Sequence, residues 1–131
     1  MGGQLEGDKE HKLYLLYPEG NWIEIGEATP FTIIGNSGFA TPILRRTVNY
    51  ESEIKFALKS AFLSFDSTRV SAADVGYPID IVLYNKDEFK FSEHRFDYDD
   101  LTSISNKWAD ILTAGVDELP TKWIDEILAE E

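Results

Sequence analysis

The stretch LSFDSTRVSAADVGYPIDIVLY, Leu63 to Tyr84, puts an acid, Asp66, where the helical pattern reads as ending. The last turn of a helix exposes carbonyl oxygens with partial negative charge, so a carboxylate there is electrostatically misplaced. Either Asp66 satisfies local backbone donors, in an Asx-type turn with Ser67 and Thr68, or it is held for a partner. Other chemistry-bearing residues form weaker patterns. His11 and His94 each lack a second ligand at metal spacing and read as ordinary surface or strand residues. DYDDLTSISNKW opens like a calcium loop at Asp97 and Asp99. It lacks glycine at the sixth position, and Trp108 stands where the closing glutamate belongs, so helix capping is the better reading. IGNSGFA has no phosphate-loop lysine after it, and no Gly-x-Ser-x-Gly elbow occurs. The carboxylates are numerous, but no pair is singled out for glycosidase-like chemistry. These patterns call for no cofactor and no metal.

The bulk composition narrows the remaining classes. The 131 residues are enough for one compact domain, and 43% hydrophobic residues mark a folding sequence. There are 24 acids against 12 bases, a net charge of −12, which repels phosphate backbones and anionic membrane surfaces. The reading is therefore no nucleic acid and no membrane. The absence of cysteine removes disulfides, thiolate metal sites and cysteine nucleophiles, and fits a cytoplasmic protein. The first twelve residues have no apolar core and do not read as a signal peptide. No apolar run is long enough to span a bilayer.

The elements that must position these residues follow from periodicity and turn chemistry. KLYLLYPEGNWIEI reads as a hairpin turning at Tyr17-Pro18-Glu19-Gly20, and Pro30 to Gly35 as a third short strand. A short helical piece should end near Arg46. Asn49 then caps a long helix, with Glu51 and Glu53 in its positive first turn. Ile54, Ala57, Leu58, Ala61, Phe62 and Phe65 form its stripe, with Phe56 and Leu63 off it, so the helix should be covered on more than one face. Pro78 to Asn85 and Glu88 to Phe96 read as a second hairpin. A second long helix starts at Asp99 or Asp100, with Leu101, Ile104, Trp108, Ile111 and Leu112 on one face and Gly115 near its end. The tail carries Trp123, Ile124, Ile127 and Leu128 on one side. The string predicts an α+β fold with a largely antiparallel sheet, over residues 1–131 as a single or partial domain.

Three stretches together resemble the second half of proteasome-type peptidases, with the bacterial Anbu-type group nearest. They are GGQLEGDKEHKLYLLYPEGNWIE, PFTIIGNSGFATPILRR and ALKSAFLSFDSTRVSAADVGYPIDIVLY. WADILTAGVDELP resembles the family's C-terminal helix and its exit. The resemblance implies the C-terminal half of an N-terminal-nucleophile hydrolase, an αββα sandwich assembling into homo-oligomeric particles. A threonine or serine at the mature N-terminus would attack the peptide carbonyl, its own α-amino group taking up the proton. The resemblance also implies a supporting shell in this chain. Asp66 matches the aspartate that faces the nucleophile and holds its amine. Ser37 matches a serine near the nucleophile, against simple turn chemistry beside Gly38. Asp74 stands where the family has a small hydroxyl residue, with Ser71 as a substitute if the loop is threaded differently. No threonine precedes Thr29, read as lying inside the sheet, and the first serine is Ser37. The nucleophile is therefore expected outside this chain, which alone should be inert. Its partners should be the N-terminal half or neighbouring subunits, with a peptide substrate for the full-length protein. The alternative is a non-catalytic assembly or interaction module whose acidic surface selects basic partners.

Overall fold

The computed structural model describes residues 1–129. They form two compact units, Met1–Tyr98 and the chain from Asp99 onward.

In the first unit, β1 (Gly2–Gly3), β2 (Lys12–Leu16) and β3 (Trp22–Glu24) form an antiparallel sheet in that order. Leu15 faces Ile23 across the hairpin, and Tyr14 meets Trp22 edge-on at 5.2 Å. Gly20 closes the expected turn with φ +86°, and its N–H donates to Tyr17 O at 3.0 Å. Residues 30–35 form no strand, against the sequence expectation. A strand needs a ladder partner as well as an apolar run, and among the described residues none pairs here; Ile34 stays 85% exposed. Thr29 lies in the bend after β3, outside the sheet.

Helix α1 (Thr41–Thr47) has proline at its start and Arg45 and Arg46 in its last turn, where cations suit the exposed carbonyls. Helix α2 (Ile54–Arg69) corrects two expectations. Asn49 is not its cap: its Oδ1 accepts from Glu51 N–H in a turn upstream, and Glu53 holds the cap position with no side-chain cap. The helix also runs past Asp66, because nothing from Ser67 to Arg69 breaks it and Arg69 offsets the acid's charge. A second antiparallel sheet pairs β4 (Ile79–Tyr84) with β5 (Phe91–Phe96). Its return strand begins at Phe91 and not Glu88, because the turn bends through positive φ at Asp87 (64°) and Phe89 (51°). Gln4 ties this turn to the N-terminal segment: its Nε2 donates to Asp87 Oδ1 at 2.8 Å, and its Oε1 accepts from Asp87 N–H and Tyr84 Oη.

The second unit holds α3 from Asp99 (the helix spans Tyr98–Asp117) and α4 (Lys122–Leu128). The helix starts at Tyr98, one residue before the expected Asp99, and Asp99 and Asp100 occupy its first turn, where carboxylates suit the exposed N–H groups. Ile111, Leu112, Trp123, Ile127 and Leu128 are about half exposed or more. No helix among the described residues is long and apolar enough to cross a membrane.

The buried apolar side chains among the described residues are Ala40 and Leu44. The other buried ones are polar: Ser60, Ser64, Asp66 and Thr68. The best-packed part of the molecule is thus the junction of α1 with the C-terminal half of α2.

Candidate functional site

Ser60, Ser64 and Thr68 recur every fourth residue and form one line along α2. Small side chains let helices approach closely, and Ser64 Oγ reaches Ala40 O, at the start of α1, at 3.4 Å. Its shorter bond is to Ser60 O at 2.9 Å, and Thr68 Oγ1 donates to Ser64 O at 2.9 Å. The Ser64 and Thr68 hydroxyls therefore each meet a carbonyl of their own helix and can be buried without leaving an orphan donor.

Asp66 lies on a different side of α2 and is 4% exposed. Arg69 Nη2 donates to its Oδ1 at 2.7 Å and Arg69 Nε to the same oxygen at 3.2 Å. The guanidinium lies 5.7 Å from the centre of the Tyr77 ring and 5.6 Å from that of Tyr98. Tyr77 packs edge-on against Phe65 at 5.5 Å and against Tyr98 at 5.6 Å. The hydrogen bond to Asp66 holds the Arg69 pKa above its ordinary value, while burial raises that of the Tyr77 phenol. The misplaced acid thus meets a cation three residues on, and Arg69 itself packs against the Tyr77–Tyr98 ring pair. A terminal Asx turn is not what the structure shows, since Asp66, Ser67 and Thr68 are all helical.

Ser37 sits in the exposed turn before α1. Its carbonyl accepts from Thr41 N–H at 3.1 Å and Thr41 Oγ1 at 2.8 Å, which is turn chemistry that starts the helix. Asp74 is exposed in the loop between α2 and β4, inside a turn closed by Val75 N–H on Ala72 O at 3.3 Å. Ser71 is exposed in the same loop, its N–H bonded to Thr68 O. A cleft of about 350 Å³ lies beside these segments, and none of Ser37, Asp66, Ser71 and Asp74 lines it. Asn36, Phe65 and Val75, the chain neighbours of Ser37, Asp66 and Asp74, line it together with Ser64 and Thr68. His11 stands edge-on to Tyr84 and His94 stacks on Phe96, and no group that could hold a metal occurs among the described residues.

Sequence reasoning passed over Arg69 and the Ser60–Ser64–Thr68 line. Both had a signal. An Asp–Arg pair three apart shares a helix face, and hydroxyl residues at every fourth position mark a close helix contact.

No family model and no curated protein matches the chain. Solved structures do. A mutant Anbu from Hyphomicrobium sp. strain MC1 is 39% identical over 89% of this chain, with a TM-score of 0.85. Anbu from Yersinia bercovieri, described as an ancestral beta-subunit, is 34% identical over 91% of the chain, with a TM-score of 0.86. The Anbu complex of Pseudomonas aeruginosa, solved as a helical assembly, is 34% identical over 91% of the chain, with a TM-score of 0.85. Over some nine-tenths of its length the chain matches Anbu proteins in sequence and in fold. It spans about half the length of these Anbu chains, covering 52%, 52% and 50% of them. Its helices and antiparallel hairpins are those of half of the proteasome-like Anbu fold.

Proposed function

We propose that this Anbu-type chain supplies the second half of a proteasome-type peptidase subunit that cuts peptide bonds with an N-terminal threonine or serine. The observation that carries the reading is the match of nine-tenths of this chain to half of each Anbu chain at a TM-score near 0.85. The chain's share of the site is a supporting shell. On the family resemblance, Asp66 holds the nucleophile's amine, and Ser37 and Asp74 stand near it on the two adjoining loops. The residues Met1 to Glu131 alone do no chemistry, because the nucleophile and its free amine belong to the other half of the subunit. The full-length protein acts on peptides as a homo-oligomer, and the helical assembly of the Pseudomonas aeruginosa relative supports that part. The absence of cysteine fits a cytoplasmic setting.

The test is cleavage of a panel of fluorogenic peptides by the native-length protein, by its Asp66→Asn variant and by the 131-residue chain. Cleavage by the native-length protein, a drop of about a hundredfold in Asp66→Asn and none by the short chain are expected. A native-length protein that assembles yet cleaves nothing would favour the non-catalytic assembly module.

A further inference from the structure

The loop Val70–Gly76 leaves α2 immediately after Arg69 and returns to the fold at Tyr77. Those two end residues touch: the Arg69 guanidinium lies over the Tyr77 ring at 5.7 Å. Tyr98 receives the other contact at 5.6 Å and also packs edge-on against Tyr77. Asp66, buried one turn back, fixes the guanidinium through two hydrogen bonds to one oxygen. Within the loop the backbone bonds are few. Val70 N–H returns to Asp66 O, Ser71 and Ala72 N–H to Thr68 O, and Val75 N–H to Ala72 O. Most of the loop is exposed, and it carries no bulky apolar anchor of its own beyond Val75. A loop with so little burial is held by what fixes its ends.

We propose that Arg69 is a positioning residue: bonded to Asp66 and packed against Tyr77 and Tyr98, it clamps the Val70–Gly76 loop and thereby sets Val75 against the cleft. This rests on the reading above that the loop belongs to the peptidase's supporting shell. The planar guanidinium is what the clamp requires. It can bond a carboxylate edge-on while packing flat against aromatic rings, which an ammonium cannot do. Asp66 consequently has two roles in one contact, as a buried member of the shell and as the anchor of the clamp.

Amide hydrogen exchange on the native-length protein tests the clamp without reference to activity. Arg69→Met should speed exchange at Ser71, Ala72 and Val75 by about tenfold or more, while the amides of Leu58 to Ser64 stay within about twofold. Arg69→Lys should fall between, because it keeps the charge beside Asp66 and loses the stack. Tyr77→Leu, which leaves the Asp66–Arg69 pair in place, should loosen the same three amides and decides the matter if Arg69→Met fails to fold. Unchanged loop exchange in Arg69→Met or Tyr77→Leu overturns the proposal. So does equal acceleration along α2, since Arg69 would then hold the helix and not the loop. Peptide cleavage read in parallel separates the two claims: kcat should fall in step with loop exchange across the three variants, with KM changing less. A loosened loop with unaltered cleavage upholds the clamp and removes this loop from the active-centre reading.

Discussion

The α1–α2 junction and the two β-hairpins handle burial in opposite ways. At the junction the buried groups are small or polar, namely Ala40, Leu44, Ser60, Ser64, Asp66 and Thr68. On the hairpins large apolar side chains face outward. Trp22 is 60% exposed, Phe91 62% and Val82 56%. A soluble domain of this length ordinarily does the reverse. The contrast separates the part of the fold that closes on itself from the part that leaves apolar side chains exposed. The junction is largely satisfied within the chain, because the Ser64 and Thr68 hydroxyls and the Asp66 carboxylate find partners there. The hairpin faces are apolar surface of the kind that marks an interface.

The comparison can be broken most sharply at its apolar side. The 131-residue chain alone should bind a hydrophobic dye strongly and self-associate, as measured by dye fluorescence and sedimentation velocity. A monodisperse monomer that binds no dye would erase the contrast. The next effects lie at the junction. In the native-length protein Asp66→Ala should cost about 3 kcal/mol in chemical denaturation, because it strands a partly buried guanidinium. Leu44→Ala should cost about 2–3 kcal/mol by leaving a cavity between α1 and α2. Ser64→Ala should cost about 1 kcal/mol or less, since the carbonyls it bonds are already used by the helix. The smallest effect belongs to the second hairpin. Asp80 and Arg95 pair side by side at 2.7 Å but are 57% and 65% exposed. Arg95 holds the Asp80 carboxyl below its ordinary pKa. Its folded pKa thus lies under the unfolded one, so its contribution is present at neutral pH and fades as pH falls through the lowered value. Asp80→Asn should flatten that acid limb slightly and lower neutral stability by the same small amount.

Much of this fold was legible because its elements carry local signals. The turn at Tyr17 to Gly20, the proline in α1 and the acids opening α3 each fix an element by short-range chemistry. Residues 30–35 show where such reading fails: an apolar run states a capacity to pair, and pairing depends on a partner elsewhere. The α2 boundaries failed for a related reason. Asp66 looks like a stop signal in isolation, but the guanidinium three residues on cancels its charge. The site was legible only in outline. The resemblance pointed to Ser37, Asp66 and Asp74, but the cleft is lined by Asn36, Phe65 and Val75 and by none of those three. The clamp through Arg69, Tyr77 and Tyr98 was not read, because residues that far apart meet only after the loop has folded back.

The central claim is that this Anbu-type chain is the supporting half of a peptidase subunit. The most direct measurement is the intact mass and N-terminal sequence of the native protein from its own cells. The account predicts a chain about twice the 14.9 kDa of these residues, beginning at threonine or serine. A native protein of 14.9 kDa that begins at Met1 would contradict it.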